Sequence, residues 1–560
     1  MTTEETVTTP HGDANPVPTV AEIAIDGRSA GHIDPNVYGH FLESAFFGNI
    51  EGGVFDEGSP FAVAGAGALD GCRRDVLDAC RELGLPVVRW PGGNFTSAYW
   101  WQDGTGPRDR RPRRLELAWG SEESNRFGTP EFLAWIEAVR SAATPTEAYL
   151  AHSARSVEDA VRWVEYTNHA GDTALTRQRA ADGHPDPYHV RWWGVGNEVY
   201  GPWQMGHRSA DRYVADAREH VRFMRQVDPA IRFVACGSPR QQWTEAVVSG
   251  LADQVDAFSL HLYGLDHHLT APTVAEFDAV VAQSVFFEHA IGDYADEIAT
   301  VAARAHVDRP LGIVLDEWNN RHLEPASWPE PRPGPDGGFA DRDAAAVAGG
   351  PTRVNRYSTR TLADALMYAG VFHAIHRASG HDVPVTMANA VNLINANGIL
   401  QVRPGGVLRT PVFGVWDLYQ NHFGRIALPV RVDTPAVFRG VRLGAERAGA
   451  RGKPTTRQTA VGLLDVSAAR TERGEALTVA VLNRSADQTI SARIVLDGRA
   501  ENLPPRAWVR SLGADATDLF ATNTLADQGT VAGHGPEPVD VAAGRFDFAP
   551  HSITLLTFDL

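Results

Sequence analysis

Eight short apolar runs, separated by stretches of helical periodicity, constrain this chain more than any other feature. The runs fall at 37–42, 86–90, 147–151, 190–195, 231–236, 257–263, 311–315 and 383–393. Amphipathic stretches lie between several of them, near 72–83, 130–140, 210–227 and 359–378. Runs that are short and apolar on both faces suit strands of a parallel sheet, and parallel strands need helical crossovers. Eight such units predict an α/β fold, a closed (β/α)8 TIM barrel, with its functional residues at the C-terminal ends of the strands.

Two of those ends carry an acid beside aromatics. The fourth run continues as Trp192-Trp193-Gly194-Val195-Gly196-Asn197-Glu198, and the seventh as Leu315-Asp316-Glu317-Trp318-Asn319. A single strand-end glutamate also serves as a helix cap or an ion-pair partner. Two of them, far apart in sequence and each with a tryptophan close by, point instead to retaining glycoside hydrolysis. There one carboxyl acts as acid/base and the other as nucleophile, roughly 5 Å apart.

With 560 residues the chain has room for two domains. From about Leu418 helical periodicity gives way to short strands at 477–482, 489–496, 508–512, 545–548 and 553–558. That pattern predicts an antiparallel β-sandwich over 416–560, after a catalytic barrel over 36–415. Residues 1–18 read as a disordered tail, and 19–35 hold a strand expected to join the sandwich. The stretch 322–350 is rich in Pro and Gly and follows the seventh run directly, so it is expected to form a long loop over the site, as a lid or a subunit contact.

The formal charge of −18 and the lack of a basic stripe argue against nucleic acid or an anionic membrane as partner. No run of about eighteen apolar residues occurs. The first twenty residues lack the basic and apolar regions of a secretion leader. Three cysteines, Cys72, Cys80 and Cys236, fit reduced thiols rather than a disulfide framework. Together these readings predict a cytoplasmic location. No metal-ligand spacing is visible.

The order of the motifs resembles glycoside hydrolase family 51, the α-L-arabinofuranosidases. The resemblance rests on Tyr38-Gly39-His40-Phe41-Leu42-Glu43, Val87-Val88-Arg89-Trp90-Pro91-Gly92-Gly93-Asn94-Phe95, and Asp103-Gly104-Thr105-Gly106-Pro107. It continues through Leu117-Ala118-Trp119, Asn125-Arg126-Phe127-Gly128, Gly196-Asn197-Glu198, Gly201-Pro202-Trp203-Gln204, Ser259-Leu260-His261-Leu262-Tyr263 and Asp316-Glu317-Trp318-Asn319. It implies a TIM barrel with a jelly-roll-like sandwich and no metal or organic cofactor. The implied assembly is a homo-oligomer, often a hexamer. The implied activity is exo-acting release of α-L-arabinofuranosyl residues from a small carbohydrate substrate, a furanoside oligosaccharide.

By motif, Glu198 is the implied acid/base and Glu317 the implied nucleophile. Asn197 would hold the sugar 2-hydroxyl, Glu43 and Asn94 other ring hydroxyls, and Tyr263 would orient the nucleophile. The chemistry makes opposite demands of the pair. Glu198 must start protonated, which burial and a nearby negative charge favour, while Glu317 must stay ionised with donors such as Tyr263 or Arg89. Trp203 is a candidate sugar platform, Trp101 a candidate wall of the cleft, and His261 a hydrogen-bond partner in the site.

Departures from the family pattern occur at Ser44, where His is usual, at His152-Ser153, where an Asn-x-Gly-Thr end is usual, and at Asn320-Arg321-His322, where aromatics are usual. They are expected to ring the sugar site and leave room for a sister activity such as β-D-galactofuranosidase. A non-catalytic carbohydrate-binding barrel is the reading from another class. The presence of both carboxylates with their Asn, Tyr and Trp neighbours opposes it.

Overall fold

In the computed structural model all eight runs are strands of one closed parallel barrel. They are β1 (Gly39–Phe41), β2 (Val87–Trp90), β3 (Glu147–His152), β4 (Trp192–Val195), β5 (Arg232–Ala235), β6 (Ala257–Tyr263), β7 (Gly312–Asn319) and β8 (Val385–Ala390). Each pairs with its neighbours in sequence, and β8 closes on β1 through Asn389↔Gly39. The structure describes residues 20–560 except 66, 142–143, 154, 239–240, 270–271, 330–350, 435–436, 445–456 and 514. The expected tail at 1–18 and most of the expected loop at 322–350 therefore lie outside the described residues.

Strand ends differ from the sequence reading where local chemistry intervenes. The first strand begins at Gly39, because Pro35–Tyr38 form a 3-10 turn capped by Asp34, which accepts from the Asn36 N–H at 2.9 Å. The start of the stretch read as an aperiodic loop is itself a strand. His322–Pro325 pairs antiparallel with Thr352–Asn355 and parallel with His267–His268.

The largest difference is in β7. Against β6 its register jumps from Ser259↔Val314 to His261↔Glu317, and against β8 from Leu315↔Ala388 to Trp318↔Ala390. One extra residue is inserted, a β-bulge. Alternation would send Asp316 and Glu317 to opposite faces. The bulge turns both into the barrel mouth and leaves Trp318 pointing outward into the core.

Outside the barrel, the helix Leu362–Ala378 is buried on nearly every side, because it lies between the barrel and the second layer of sheets. It starts in a capping box, in which the Thr361 N–H donates to Asp364 Oδ2 at 2.8 Å and the Asp364 N–H donates to Thr361 Oγ1 at 3.2 Å. Among the described residues the C-terminal strands form two larger sheets and a separate pair, Val437–Leu443 with Arg457–Gly462. Seven strands run in the order Gly31–His32, Ile426–Leu428, Leu464–Arg470, Ala476–Asn483, Ser552–Asp559, Arg506–Leu512 and Gly533–Asp540. Four more run Val430–Asp433, Ala21–Ile25, Ile490–Leu496 and Arg545–Phe548. Ala21–Ile25 pairs parallel with Ile490–Leu496, so the start of the described chain is a strand of this layer. Side chains such as Ile23, Val479, Ile494 and Phe558 fill the space between the sheets. Cys72, Cys80 and Cys236 are buried and unpaired.

Trp318 is fully buried and packs on Trp416 at 5.8 Å, Phe372 at 5.7 Å and Tyr368 at 4.8 Å. It anchors the strand that carries Glu317. Replacing Trp318 with Ala is expected to cost about 3–5 kcal/mol of stability. A urea-unfolding midpoint close to that of the parent protein would show that the tryptophan layer does not hold β7.

Candidate active site

The site is built at the C-terminal ends of β1, β2, β4, β6 and β7 around one guanidinium. Arg89, from β2, is 1 % exposed. Its Nη2 donates to Asn197 Oδ1 at 2.7 Å, and its Nη1 donates to Glu317 Oε1 at 3.0 Å and to the Asp316 carbonyl at 3.1 Å. Its face lies 5.1 Å from the Phe41 ring. One cation thus ties together the ends of β2, β4 and β7. Burial opposes its charge, but Asp316 and Glu317 outweigh that and keep it protonated.

Glu317 accepts a second bond from Tyr263, whose hydroxyl donates to Oε2 at 2.7 Å. Glu198 lies just past β4, where Gly196 has φ +93° and Glu198 itself φ +43°. A non-glycine residue in the left-handed region is uncommon and carries a cost of about 1–3 kcal/mol. Here that backbone turns the carboxyl over the barrel mouth. Trp203 Nε1 donates to Glu198 Oε2 at 2.7 Å, and His261 Nδ1 lies 2.9 Å from Oε1. A carboxyl oxygen of Glu198, one of Glu317 and a ring nitrogen of His261 all lie within 4.8 Å of one another.

His261 bridges three acids. Besides Glu198, its Nε2 is 2.9 Å from Asp316 Oδ1, and its Nδ1 is 3.6 Å from Glu317 Oε2. Burial disfavours a charge on the ring, but Glu317 and Asp316 overcome it, and the imidazole is held protonated well above its ordinary range. Asp316 in turn is kept low despite burial by Arg89 and His261, and takes a bond from Tyr149 at 3.2 Å.

Glu43 forms the far wall. Its Oε1 accepts from the Phe95 N–H at 2.9 Å and from Trp119 Nε1 at 3.1 Å. Glycine is required opposite it, since a Cβ on Gly92, at φ +151°, would lie 2.7 Å from Glu43 Cγ, and one on Gly93 would lie 3.1 Å from Glu317 Oε1. Asn94 follows, its Oδ1 3.4 Å from Asn197 Nδ2. Glu43, Asn94, Asn197, Glu198, His261, Tyr263 and Glu317 are therefore brought to one place, with Trp203 at its edge, 52 % exposed.

Trp101 is not there. It is buried, stacks on Trp163 with rings 3° from parallel at 6.1 Å, and donates to the Asp159 carbonyl at 3.1 Å. The outward-facing neighbour is Trp100, which lies against Arg155 with the guanidinium carbon 3.4 Å from its ring. Trp318, likewise, is a core residue and offers no sugar-stacking face.

Four of the departures sit elsewhere than at the rim, whereas Arg321 lies at the mouth, 5.5 Å from the Tyr263 ring. Ser44 accepts from Trp90 Nε1 at 3.1 Å, His152 pairs with Asp159 at 3.1 Å, and Ser153 Oγ accepts the Asn197 N–H at 3.0 Å. Asn320 is held by Asp364 and Arg360 at 2.7 and 2.9 Å. All four are buried and committed to internal bonds, so they widen no pocket. Asp316 went unrecognised as a site residue, because its position inside the mouth depends on the bulge. Trp119 sat in a quoted motif without a role.

An eight-stranded barrel with this acid cluster at its C-terminal face is the scaffold of a glycoside hydrolase. The sequence families described as Alpha-L-arabinofuranosidase 1 domain and Alpha-L-arabinofuranosidase C-terminal domain match residues 79–280 and 316–552. The second segment thus takes in the end of β7 and all of β8 as well as most of the sandwich. The chain is 32 % identical over 537 residues to an intracellular exo-alpha-(1->5)-L-arabinofuranosidase of Streptomyces lividans, covering 93 % of this chain and 72 % of that one. It is 30 % identical over 511 residues to an exo-alpha-(1->6)-L-arabinofuranosidase of Bifidobacterium longum, covering 90 % and 89 %. Among solved structures, the GH51 alpha-L-arabinofuranosidase of Thermotoga petrophila aligns with a TM-score of 0.79 at 29 % identity, covering 96 % of this chain and 99 % of that one. The chain belongs to glycoside hydrolase family 51, the α-L-arabinofuranosidases.

Glu43 carries a pH signature. Burial, with the Glu317 charge adding to it, pushes its carboxyl from 4.5 up to about 8, against the opposing hydrogen bond from Phe95. The folded state then holds a proton that the unfolded chain releases, so its stabilising effect is complete below pH ~4.5 and is lost as pH rises through about 8. Glu43→Gln is expected to flatten that decline in urea-unfolding stability. An unchanged pH slope would mean that Glu43 is ionised in the fold.

Proposed function

We propose that this protein is an exo-acting, retaining α-L-arabinofuranosidase that works by double displacement. Glu198 protonates the glycosidic oxygen while Glu317 attacks the anomeric carbon, giving a glycosyl-enzyme ester. Glu198 then takes a proton from water, which attacks the same carbon and frees Glu317. The observation that carries this reading is the closeness of the two carboxyls, within 4.8 Å at their nearest oxygens. Inverting enzymes hold theirs about 6.5–9.5 Å apart to admit a water.

The surroundings match these roles. Arg89 and Tyr263 give Glu317 two donors, which fix its aim. When Glu198 gives up its proton, the His261 imidazolium and the Trp203 N–H face the new carboxylate. Asn197, pinned by Arg89 and Ser153, is placed to bind the hydroxyl beside the reacting carbon, and Glu43 and Asn94 take hydroxyls on the far side. The names of the relatives, exo-alpha-(1->5)- and exo-alpha-(1->6)-L-arabinofuranosidase, support exo-acting release of arabinofuranosyl groups, and two of them, from Streptomyces lividans and Bacillus subtilis, are called intracellular, which fits a cytoplasmic enzyme. A homo-oligomer, hexameric by family resemblance, belongs to the same reading and is tested by sedimentation.

Aryl glycosides test the function. Turnover of an aryl α-L-arabinofuranoside is expected to dominate over the β-D-galactofuranoside, β-D-xyloside and β-D-glucoside. Glu317→Ala is expected to lower it by at least about a thousandfold. Glu198→Ala is expected to slow arabino-oligosaccharides, which need a protonated leaving group, by about 10²–10⁴-fold, and more than it slows the activated aryl substrate. Preference for the galactofuranoside would overturn the substrate assignment, and an active Glu317→Ala variant would overturn the mechanism.

A further inference from the structure

Beyond the end of β7 the strands His322–Pro325 and Thr352–Asn355 lead to two arginines at the mouth of the site. Arg321 is spent. Its Nε and Nη2 bind both oxygens of Asp266, at 2.9 and 2.6 Å, and its guanidinium lies 5.5 Å from the Tyr263 ring. Arg356 is different. It is partly buried, and among the described residues no carboxylate or carbonyl accepts a bond from its guanidinium. Its charge rests against Phe46 at 5.1 Å and Phe47 at 5.9 Å.

Ring faces attract a cation but offer no acceptor to its five N–H groups. Phe46 contacts Trp119 at 4.5 Å, and Trp119 bonds to Glu43, so the guanidinium stands one ring away from the site wall. Burial, with the Arg321 charge beside it, lowers its pKa to about 10, and it stays charged at neutral pH. The nearby acids do not balance it, because Asp266 is held by Arg321 and Glu43 is protonated below about 8.

We propose that Arg356 is a specificity residue that binds a carboxylate on the leaving-group side of the substrate, favouring arabinofuranosyl groups attached to chains that carry uronic acid. This rests on the reading of the dyad given above. The floor of the site, with Glu43, Asn94, Asn197 and the two catalytic carboxyls, is filled by the sugar that is released. Arg356 stands outside that floor, beside Phe47, which is 36 % exposed. A planar guanidinium matches a carboxylate with two parallel bonds. The need for it follows from net charge. At −18 the protein as a whole repels acidic chains, and a local cation at the mouth reverses that where the chain must dock.

The test compares kcat/KM for 4-carboxyphenyl α-L-arabinofuranoside and its methyl ester. The intrinsic difference between the two leaving groups cancels when the acid-to-ester ratio is compared between enzymes. Arg356→Gln is expected to lower that ratio by about tenfold, and Arg356→Lys, which keeps the charge, by less. Added salt is expected to compress the ratio in the parent enzyme and not in Arg356→Gln. An unchanged ratio in Arg356→Gln overturns the proposal. Silence of the parent enzyme on the ester would instead overturn the dyad reading. In that event calorimetric binding of D-galacturonate decides for Arg356, since it must exceed that of D-galactose and lose the excess in Arg356→Gln.

Discussion

The Arg89 guanidinium, buried among Asp316, Glu317 and Asn197, is the interaction on which the site depends. Removing a charge from water is costly, and a buried cation persists only when its partners and hydrogen bonds are all in place. Here the partners come from β4 and β7, strands far apart in sequence. The same bonds that satisfy Arg89 therefore fix the distance between the ends that carry Glu198 and Glu317. His261 repeats the arrangement from β6, with one ring nitrogen toward Glu198 and the other toward Asp316. The result is a network of charges in which no member can be removed without leaving another uncompensated.

The bulge in β7 makes that network possible. Without the extra residue, Asp316 would face the surrounding helices and Arg89 and His261 would share a single acid. Trp318 takes the outward position instead, and its packing on Trp416, Tyr368 and Phe372 locks the bulged strand from behind. Two consecutive acids thus do different work. Glu317 reaches the open mouth, while Asp316, 2 % exposed, stays beneath it, and the two together hold His261 charged.

Much of this architecture was legible in the sequence, because it follows from local pattern. Short runs such as 87–90 and 192–195, spaced by helical stretches, read as buried strands, and the Asn197-Glu198 and Asp316-Glu317 pairs mark two strand ends. What escaped reading depends on register and on contacts between distant segments. Nothing local distinguishes a bulged β7 from a regular one, so Asp316 was missed. Trp101 is expected at the cleft wall, but which of Trp100 and Trp101 faces solvent is decided by Trp163, some sixty residues on. Ser44, His152 and Ser153 differ from the family where internal partners, Trp90, Asp159 and Asn197, accommodate the change. The position of Arg356 against Phe46 joins segments some three hundred residues apart and has no sequence signal.

In the proposed mechanism the two carboxyls held by Arg89 and His261 act in sequence on one anomeric carbon. The configuration of the first-formed sugar tests it most directly, followed by proton NMR of the anomeric signal during rapid hydrolysis of an aryl α-L-arabinofuranoside. Double displacement predicts that α-L-arabinofuranose appears first and the β-anomer only later, by mutarotation. First appearance of the β-anomer would mean a single displacement by water and would contradict the account.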